Sequence, residues 1–313
     1  METVVIALGG NALTIGGKLA DAPTQLRIID NTANEVADII GQGYKVVMTH
    51  GNGPQVGGIV VQNEASSQIV PAMPFDVCGA MSQGMLGYHM IQGLQRAGRL
   101  KNIAISPVAV VTQVRVDPED PKFKNPSKPI GAFFTEEEAK QLTEEKGYTM
   151  KEDAGRGWRR VVASPLPLEI IELKPIRDLI EAGHTVIAVG GGGVPVYRDH
   201  DGDLVGTAAV IDKDLASERL AQDLDADIFM MLTAVEKCYI NFNKPDQKAL
   251  DRLTPAEARE YIAQGQFAAG SMLPKVEAAI RFVEGRPGRK CIITTPEKSV
   301  AALAGQAGTI IEA

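Results

Sequence analysis

Two glycine–asparagine segments follow apolar runs in the N-terminal part of the chain. The run VVIAL leads into residues 9–11 (GGN), and the run KVVMT leads through His50 into residues 51–53 (GNG). Glycine leaves the backbone N–H groups uncovered, and N–H groups that open a helix bind anions. Two such segments in one chain predict two anionic groups that are brought face to face.

Two lysines lie at predicted helix starts, where a cation is unfavourable. Lys213 precedes a helix for which Asp214 is the predicted N-cap, and Lys275 lies in the first turn of a helix that begins near Ser271. A cation at the positive end of a helix dipole costs about 0.3–1 kcal/mol. The two lysines together predict an anion at these helix ends, although either one alone is more simply a solvated surface lysine.

Three further groups have both a structural and a functional interpretation. Asp214 is either only a helix cap or also a carboxylate that holds the neighbouring lysines, and the two roles are compatible. Lys128 lies between prolines in NPSKPIG, which present it from a stiff peptide, but it could equally be a solvated loop lysine. The glycines 190–193 (GGGG) predict a close approach of backbone or ligand, or a tight turn against a sheet.

Several familiar catalytic patterns are absent from the sequence. There is no GxxxxGK[ST], and the GGN segment lacks the GxGxxG spacing of dinucleotide folds. There is no GxSxG, and none of the four histidines stands at metal-ligand spacing from another. Because no general base is evident, the acceptor is expected to be ionised already. Phosphoryl transfer to such an acceptor requires positioning and charge neutralisation by lysines, backbone amides and Mg²⁺.

Composition narrows the class of protein. With 313 residues, a net charge of −7 and only 5% aromatic residues, the chain is not expected to bind nucleic acid or a membrane surface. Its three cysteines are far apart, so neither a disulfide framework nor a CxxC metal site is implied. No signal peptide and no apolar run of membrane-spanning length is present, which favours a cytoplasmic location.

The pattern of apolar runs predicts a doubly wound α/β sheet. Continuous apolar strands alternate with helices, as in parallel sheets that are buried on both faces. The predicted strands are VVIAL, KVVMT, residues 103–111 with Pro107 marking an edge or a bulge, TVIAV, DIFMML and CIITT. Residues 114–167, rich in proline and charge, are too long for an ordinary connection and predict an inserted subdomain or lid. Within it, Thr135 and Glu138 form a capping box at the start of a short helix.

Long segments of the chain resemble the carbamate kinase family of the amino-acid-kinase superfamily, in order and over essentially the whole length. The matching segments include VVIALGGNAL, HGNGPQVG, KFKNPSKPIG, KEDAGRGWRRVV, GGGGVPV, AVIDKDLASERLA and GSMLPKVEAAIRFVE. The resemblance implies an open αβα sandwich around a mainly parallel sheet, with a protruding subdomain at 114–167. It implies a carbamate-binding lobe at 1–209, a nucleotide-binding lobe at 210–313, and a homodimer.

The resemblance also implies an activity: reversible phosphoryl transfer between ATP plus carbamate and ADP plus carbamoyl phosphate. Mg²⁺ would be carried by the nucleotide phosphates, with no protein side chain assigned to it. Catabolic members run toward ATP, on carbamoyl phosphate derived from arginine, citrulline or another ureido compound. Two alternatives remain: a member of the superfamily with a larger acceptor, and a non-catalytic nucleotide or metabolite sensor.

The family motifs assign site residues to this sequence. The catalytic set would be Lys128, Lys213, Lys275, Asp214 and Asn11. The groups around the transferring phosphoryl group and the carbamate would be Gly9, Gly10, Gly51, Asn52, Gly53, Gly192 and Gly193. The nucleotide pocket would comprise Ala234, Tyr239, Met272 and Pro274 together with Lys213 and Lys275. At Ala234 this sequence departs from many relatives, which carry an acidic residue or glycine there.

Overall fold

The computed structural model describes residues 1–9, 20–153 and 155–313, and within these ranges the chain forms seventeen strands and nine α-helices. The strands are β1 Thr3–Leu8, β2 Lys45–His50, β3 Pro107–Ala109, β4 Gln113–Arg115, β5 Lys128–Phe134, β6 Met150–Glu152, β7 Trp158–Val162, β8 Glu169–Ile170, β9 Thr185–Ile187, β10 Val194–Arg198, β11 Leu204–Gly206, β12 Ile228–Leu232, β13 Cys238–Ile240, β14 Lys248–Leu250, β15 Arg252–Leu253, β16 Lys290–Thr294 and β17 Thr309–Glu312. The helices are α1 Ala22–Gly41, α2 Gly53–Ala65, α3 Phe75–Lys101, α4 Glu136–Lys146, α5 Leu173–Glu181, α6 Lys213–Asp223, α7 Pro255–Ala263, α8 Met272–Glu284 and α9 Ser299–Leu303.

An eight-stranded sheet forms the centre of the fold. Its order is β15-β17-β16-β12-β1-β2-β9-β3, and all neighbours are parallel except the pair β16–β17. Along β1, Val5 and Ala7 belong to one apolar core, and Val4, Ile6 and Leu8 to the other. Since successive side chains of a strand point to opposite faces, the sheet is covered on both sides. The expected αβα sandwich is confirmed.

Different helices supply the two covering layers. The core on one face takes its apolar side chains from α5, α6, α7 and α8, and includes Ile176, Leu220 and Phe282. The core on the other face draws on α1, α3 and α9, and includes Val36 and Leu94. Among the described residues, no helix combines the length and apolar character that a membrane span requires.

Both edges of the central sheet are short strands. The predicted strand at 103–111 is only three residues long in the structure, begins at Pro107, and lies at one edge, as its proline predicts. The other edge is the two-residue strand Arg252–Leu253. The last strand, Thr309–Glu312, runs antiparallel to its neighbour Lys290–Thr294, an arrangement that the apolar pattern does not predict.

Smaller sheets flank the central one. A four-stranded sheet has the order β11-β10-β4-β8, β13 pairs with β14, and a three-stranded sheet has the order β5-β7-β6. The four-stranded sheet was not predicted, because its strands of two to five residues are too short for a clear period. The helix in the insert is confirmed: Thr135 and Glu138 bond each other's backbone N–H groups at the start of α4.

The three-stranded sheet of the insert packs on helix α2. Ile130 of β5 and Val162 of β7 are buried together with Val56, Ile59 and Val60 of α2. Opposite this contact, the next residue after β7, Ala163, forms a bridge to Ala209 in the segment that leads into α6. The insert is therefore held between α2, which follows the GNG segment, and the start of α6.

Candidate active site

The two glycine–asparagine segments emerge side by side at one edge of the central sheet. Leu8, the last residue of β1, is paired with His50 on one side and with Leu232 on the other. The strand order reverses at β1, because β2, β9 and β3 lie on one side and β12, β16 and β17 on the other. Ligands of open α/β sheets bind at the carboxyl ends of strands where the order reverses. The predicted anion-binding segments therefore lie where this rule places a ligand.

The first glycine of each segment still belongs to the sheet. The N–H group of Gly9 donates to the carbonyl of Leu232 at 2.8 Å, and the N–H group of Gly51 donates to that of Leu8 at 3.1 Å. These two donors are used within the protein, so any anion must be held by the N–H groups that follow. In the first segment those belong to Gly10 and Asn11, which lie outside the described residues.

Helix α2 begins without a side-chain cap. Asn52 occupies the N-cap position, but its side chain turns away and donates from Nδ2 to Oγ of Ser82 in α3 at 2.8 Å. The first N–H groups of a helix have no partner within the helix, and Pro54 in this first turn has none to offer. The helix start at Gly53 is thus a backbone donor site of the kind that binds anions.

The glycines 190–193 pack against the GNG segment. A Cβ on Gly190 would meet the His50 ring at 2.5 Å, and a Cβ on Gly191 would meet the Asn52 amide at 2.2 Å. Gly192 and Gly193 are equally crowded, by Ile211 and Val114. The predicted close approach is confirmed, and the partner that makes it is the protein itself. Binding of substrate by Gly192 and Gly193 stays a prediction.

We expect Gly191→Ala to destabilise the protein more than Gly147→Ala does. Both glycines have left-handed backbones (φ 68° and 65°), but only Gly191 faces a collision, since a Cβ on Gly147 would meet open space. The backbone strain of about 1–2 kcal/mol is common to both, and overpacking adds about 1–3 kcal/mol at Gly191. Urea unfolding measures the difference. Equal destabilisation by the two substitutions would show that Asn52 moves freely out of the way.

One carboxylate joins the two predicted lysines. Oδ1 of Asp214 accepts from Nζ of Lys213 at 2.7 Å, and Oδ2 accepts from Nζ of Lys275 at 2.7 Å. All three side chains are largely shielded, with 15%, 6% and 11% exposure for Lys213, Asp214 and Lys275. Helices α6 and α8 thus meet at their first turns through a charge cluster with a net charge of +1.

Burial and charge act against each other in this cluster. Burial alone would raise the pKa of Asp214, but the two ammonium groups outweigh it and hold this pKa at about 2. Burial lowers the pKa of Lys213, and Asp214 and Asp212 oppose that shift. Burial also lowers the pKa of the neighbouring His50 to about 4, so its imidazole is neutral at pH 7. The cations beside the sheet edge are therefore lysines.

The predicted N-cap of α6 is wrong by two residues. Asp212 is the N-cap: its backbone is extended, and its Oδ1 accepts from the N–H of Asp214 at 2.9 Å. Lys213 is the first helical residue and Asp214 the second. An aspartate stands on each side of the lysine, so the sequence cannot tell which one caps. Because Asp212 does, the Asp214 carboxylate is left to face inward.

A pair of buried hydroxyls connects the GNG segment to α6, and the sequence did not single it out. Ser217 Oγ donates to the carbonyl of Lys213 at 2.6 Å, so the hydrogen between Thr49 Oγ1 and Ser217 Oγ, also 2.6 Å apart, comes from Thr49. Both residues are fully buried. Thr49, a polar residue at the end of the apolar run KVVMT, was the sequence feature that could have indicated this contact. The hydroxyls fix the end of β2 relative to Lys213.

A cleft of about 800 Å³ opens between the insert and the starts of α6 and α8. Lys128 extends into it from the first position of β5 and makes an ion pair of 3.3 Å with Asp212. Pro274 of α8 also lines the cleft. The structure thus brings Lys128 to the same helix start as Lys213 and Asp214.

Of the predicted nucleotide-pocket residues, Met272 and Pro274 belong to α8, and Tyr239 lies beside its start. Cys238, which precedes Tyr239 in β13, contacts Met272 at the start of α8, with 3.5 Å between the sulfur atoms. Ala234 is exposed, just after β12. Burial raises the pKa of Cys238 to about 12, so this thiol is not a nucleophile at neutral pH. That these residues contact a nucleotide stays a prediction.

The two carboxylates of the site, Asp212 and Asp214, already have partners within the protein. The oxygens of Asp214 accept from two lysines, and those of Asp212 accept from Lys128 and from the backbone N–H of Asp214. Within the described ranges, the group of three side chains that could hold a metal ion is Asp199, His200 and Asp201, in the turn between β10 and β11.

Comparison with known proteins assigns the family. A model of the amino acid kinase family matches residues 2–295. The carbamate kinase of Clostridium perfringens is 51% identical over 311 residues, which cover 98% of this chain and 99% of that protein. The chain belongs to the carbamate kinases of the amino acid kinase family.

Two further members of the carbamate kinase group extend the match. The carbamate kinase-like protein YqeA of Escherichia coli is 50% identical, over 99% of both chains. The structure of the carbamate kinase of Giardia lamblia bound to AMP-PNP superposes with a TM-score of 0.94 at 47% identity, covering 99% of this chain and 98% of that one. The resemblance inferred from the motifs is confirmed, and with it the assignment of this carbamate kinase family member as a phosphotransferase.

Proposed function

We propose that the protein catalyses reversible phosphoryl transfer between ATP plus carbamate and ADP plus carbamoyl phosphate. The observation that carries this proposal is the buried cluster of Lys213, Asp214 and Lys275 at the edge where the two glycine–asparagine segments emerge. Two shielded cations held by one carboxylate are suited to a group with several negative charges, and the full-length relatives named carbamate kinase supply the substrate class.

The two lysines stabilise charge on the transferring phosphoryl group. Charge spreads over its equatorial oxygens in the transition state, and fixed donors in a shielded site stabilise that charge without reorganising. Asp214 holds both ammonium groups in position through its two carboxylate oxygens. Mg²⁺, carried by the nucleotide phosphates, would neutralise further phosphate charge.

The acceptor end would be bound by the start of α2 and by Lys128. Carbamate is an anion before the reaction begins, so no base is needed to deprotonate it. The uncapped helix start at Gly53 and the turned-away Asn52 suit a small anion at this position. In the first segment, Gly9, Gly10 and Asn11 would face the phosphoryl group. In-line transfer then proceeds between two anions that lysines and backbone amides bring together.

We propose that the two parts of the chain bind different substrates. Residues 1–209, with the insert 114–167, would bind the carbamoyl group. Residues 210–313 would bind the nucleotide near Ala234, Tyr239, Met272 and Pro274. We propose that the physiological direction is toward ATP, with carbamoyl phosphate supplied by cleavage of a ureido compound such as citrulline in arginine catabolism, and that the enzyme works in the cytoplasm.

We propose further that the enzyme is a homodimer. Helix α3, which contains the Gly-, Ala- and Met-rich segment 80–92, buries one face and leaves Val77, Met81 and Tyr88 exposed on the other. Met73, just before the helix, adds to the exposed apolar surface. Apolar surface of this kind is typical of subunit contacts. Sedimentation velocity decides between dimer and monomer.

The decisive experiment is ATP formation from ADP and carbamoyl phosphate with Mg²⁺, coupled to an ATP-consuming indicator reaction. We expect ATP well above the uncatalysed background. Folded protein that produces none would refute the proposal. Nucleotide binding without turnover would favour a sensor, and turnover only with acetylglutamate, aspartate, glutamate or UMP as acceptor would favour another amino acid kinase activity.

A further inference from the structure

Asp212 has two partners, one for each carboxylate oxygen. Oδ1 accepts from the backbone N–H of Asp214 and thereby caps α6, and Oδ2 accepts from Nζ of Lys128 at 3.3 Å. The first contact is within the helix start. The second joins that helix start to the insert across the cleft. Family resemblance assigns a role to Lys128 but none to Asp212.

Backbone pairing, rather than side-chain reach alone, brings Lys128 to Asp212. Val162 of β7 is the strand partner of Lys128 and accepts from the N–H of Ser127 at 3.2 Å. The next residue, Ala163, accepts from the N–H of Val210 at 2.9 Å. The segment that ends β7 therefore pairs with the start of β5 on one side and with the segment preceding Asp212 on the other.

The contact is suited to holding a side chain reversibly. The Lys128 side chain is 41% exposed and that of Asp212 is 21% exposed. An ion pair that is open to solvent is weak and can rearrange. Lys128 has three donors, so its ammonium group can keep Asp212 as one partner while it binds an anion with another. Without Asp212, this long side chain would sample the open cleft at an entropic cost on binding.

We propose that Asp212 is a positioning residue that holds Lys128 over the cleft in the orientation that receives the anionic substrate. This proposal deepens the proposed function, on which it rests. It predicts that the charge of Asp212 affects the binding of carbamoyl phosphate by way of Lys128, and not by changing the stability of α6. Asn caps helices as well as Asp does, so Asp212→Asn removes the charge and leaves the cap.

The test is a double-mutant cycle of Asp212→Asn and Lys128→Met in the ATP-forming assay. We expect Asp212→Asn to raise KM for carbamoyl phosphate about two- to fivefold, with KM for ADP and the melting temperature nearly unchanged. In the Lys128→Met background the same substitution should have no further effect. Asp223→Asn, at the other end of α6, is the control and should leave KM unchanged.

A second readout does not depend on activity. We expect Lys128 in Asp212→Asn to be acetylated by a limiting amount of acetic anhydride about two- to fivefold faster than in the parent, relative to Lys122 in the same cleft. An unchanged labelling ratio, an unchanged or lower KM, or effects of the two substitutions that multiply would each overturn the proposal. If the parent makes no ATP but the labelling ratio rises, the proposed function fails while the contact stands.

Discussion

Replacing Lys213 with alanine is expected to lower kcat by about 10²–10³-fold while the dissociation constant for ADP changes by less than about fivefold. A donor aimed at charge that develops in the transition state contributes on this scale. Lys213 is the first residue of α6, is 15% exposed, and bonds Asp214. Steady-state kinetics in the ATP-forming direction, together with calorimetric titration of ADP, measure the two quantities separately.

Lys174→Ala is the matched control for this substitution. Lys174 is also in the first turn of a helix, α5, but its side chain is 84% exposed and pairs with Asp178 on the surface. We expect its removal to leave kcat unchanged. Equal losses of turnover and of ADP affinity in Lys213→Ala would mean that the lysine only binds nucleotide.

Replacing Asp214 with asparagine is expected to lower both stability and activity. The substitution keeps the shape of the side chain but removes the one negative charge that two shielded lysines bond. Breaking a buried ion cluster from one side costs about 3–5 kcal/mol of unfolding free energy, because the remaining charges stay uncompensated. We also expect kcat to fall by at least about hundredfold, because neither ammonium group is then held in its orientation toward the substrate.

The pH profile separates the electrostatic role of Asp214 from a purely structural one. Asp214 raises the pKa of Lys213 against the effect of burial. Without the carboxylate this pKa falls further, so the lysine loses its proton at a lower pH. The alkaline limb of the kcat profile should therefore move to lower pH in Asp214→Asn. Chemical denaturation and a pH–rate profile measure the two effects.

Asp223→Asn provides the comparison for Asp214→Asn. Asp223 lies at the other end of α6 and pairs with Arg219 on the same helix. We expect it to cost about 1 kcal/mol, because its ionic partner, Arg219, is 43% exposed to solvent, and to leave the pH profile in place. If Asp214→Asn behaved like this control, the cluster would contribute neither to stability nor to catalysis.

The sequence was sufficient for six of the eight strands of the central sheet and for the two lysines, but it did not predict β15 or β17. Runs such as VVIAL and DIFMML are buried on both faces, and such runs have few alternatives to a parallel strand. Lys213 and Lys275 were recognisable because a cation at the positive end of a helix dipole is unfavourable, which suggests that an anion binds there. Both lie in the first turn of a helix, and both bond the carboxylate of Asp214. From the sequence, Asp214 was a candidate for this role, but it could also have been only a helix cap.

The remaining features of the site depend on contacts between distant segments. The pairing of Lys128 with Asp212 spans 84 positions, and that of Thr49 with Ser217 spans 168. No local pattern encodes such pairs, because the partners lie far apart in the sequence and only the folded chain brings them together. The same reason applies to the cap of α6, because Asp214 faces inward to bond Lys275, which is 61 positions away, while Asp212 caps the helix.

The short edge strands of the central sheet have a consequence for how molecules of this protein meet one another. An exposed strand edge is a template on which a second chain can add backbone hydrogen bonds. Here one edge has three residues and starts with Pro107, which lacks an N–H group, and the other has two. Sheets from different molecules therefore cannot fuse readily into a continuous ribbon. Protection against edge-to-edge aggregation is therefore built into both ends of the central sheet.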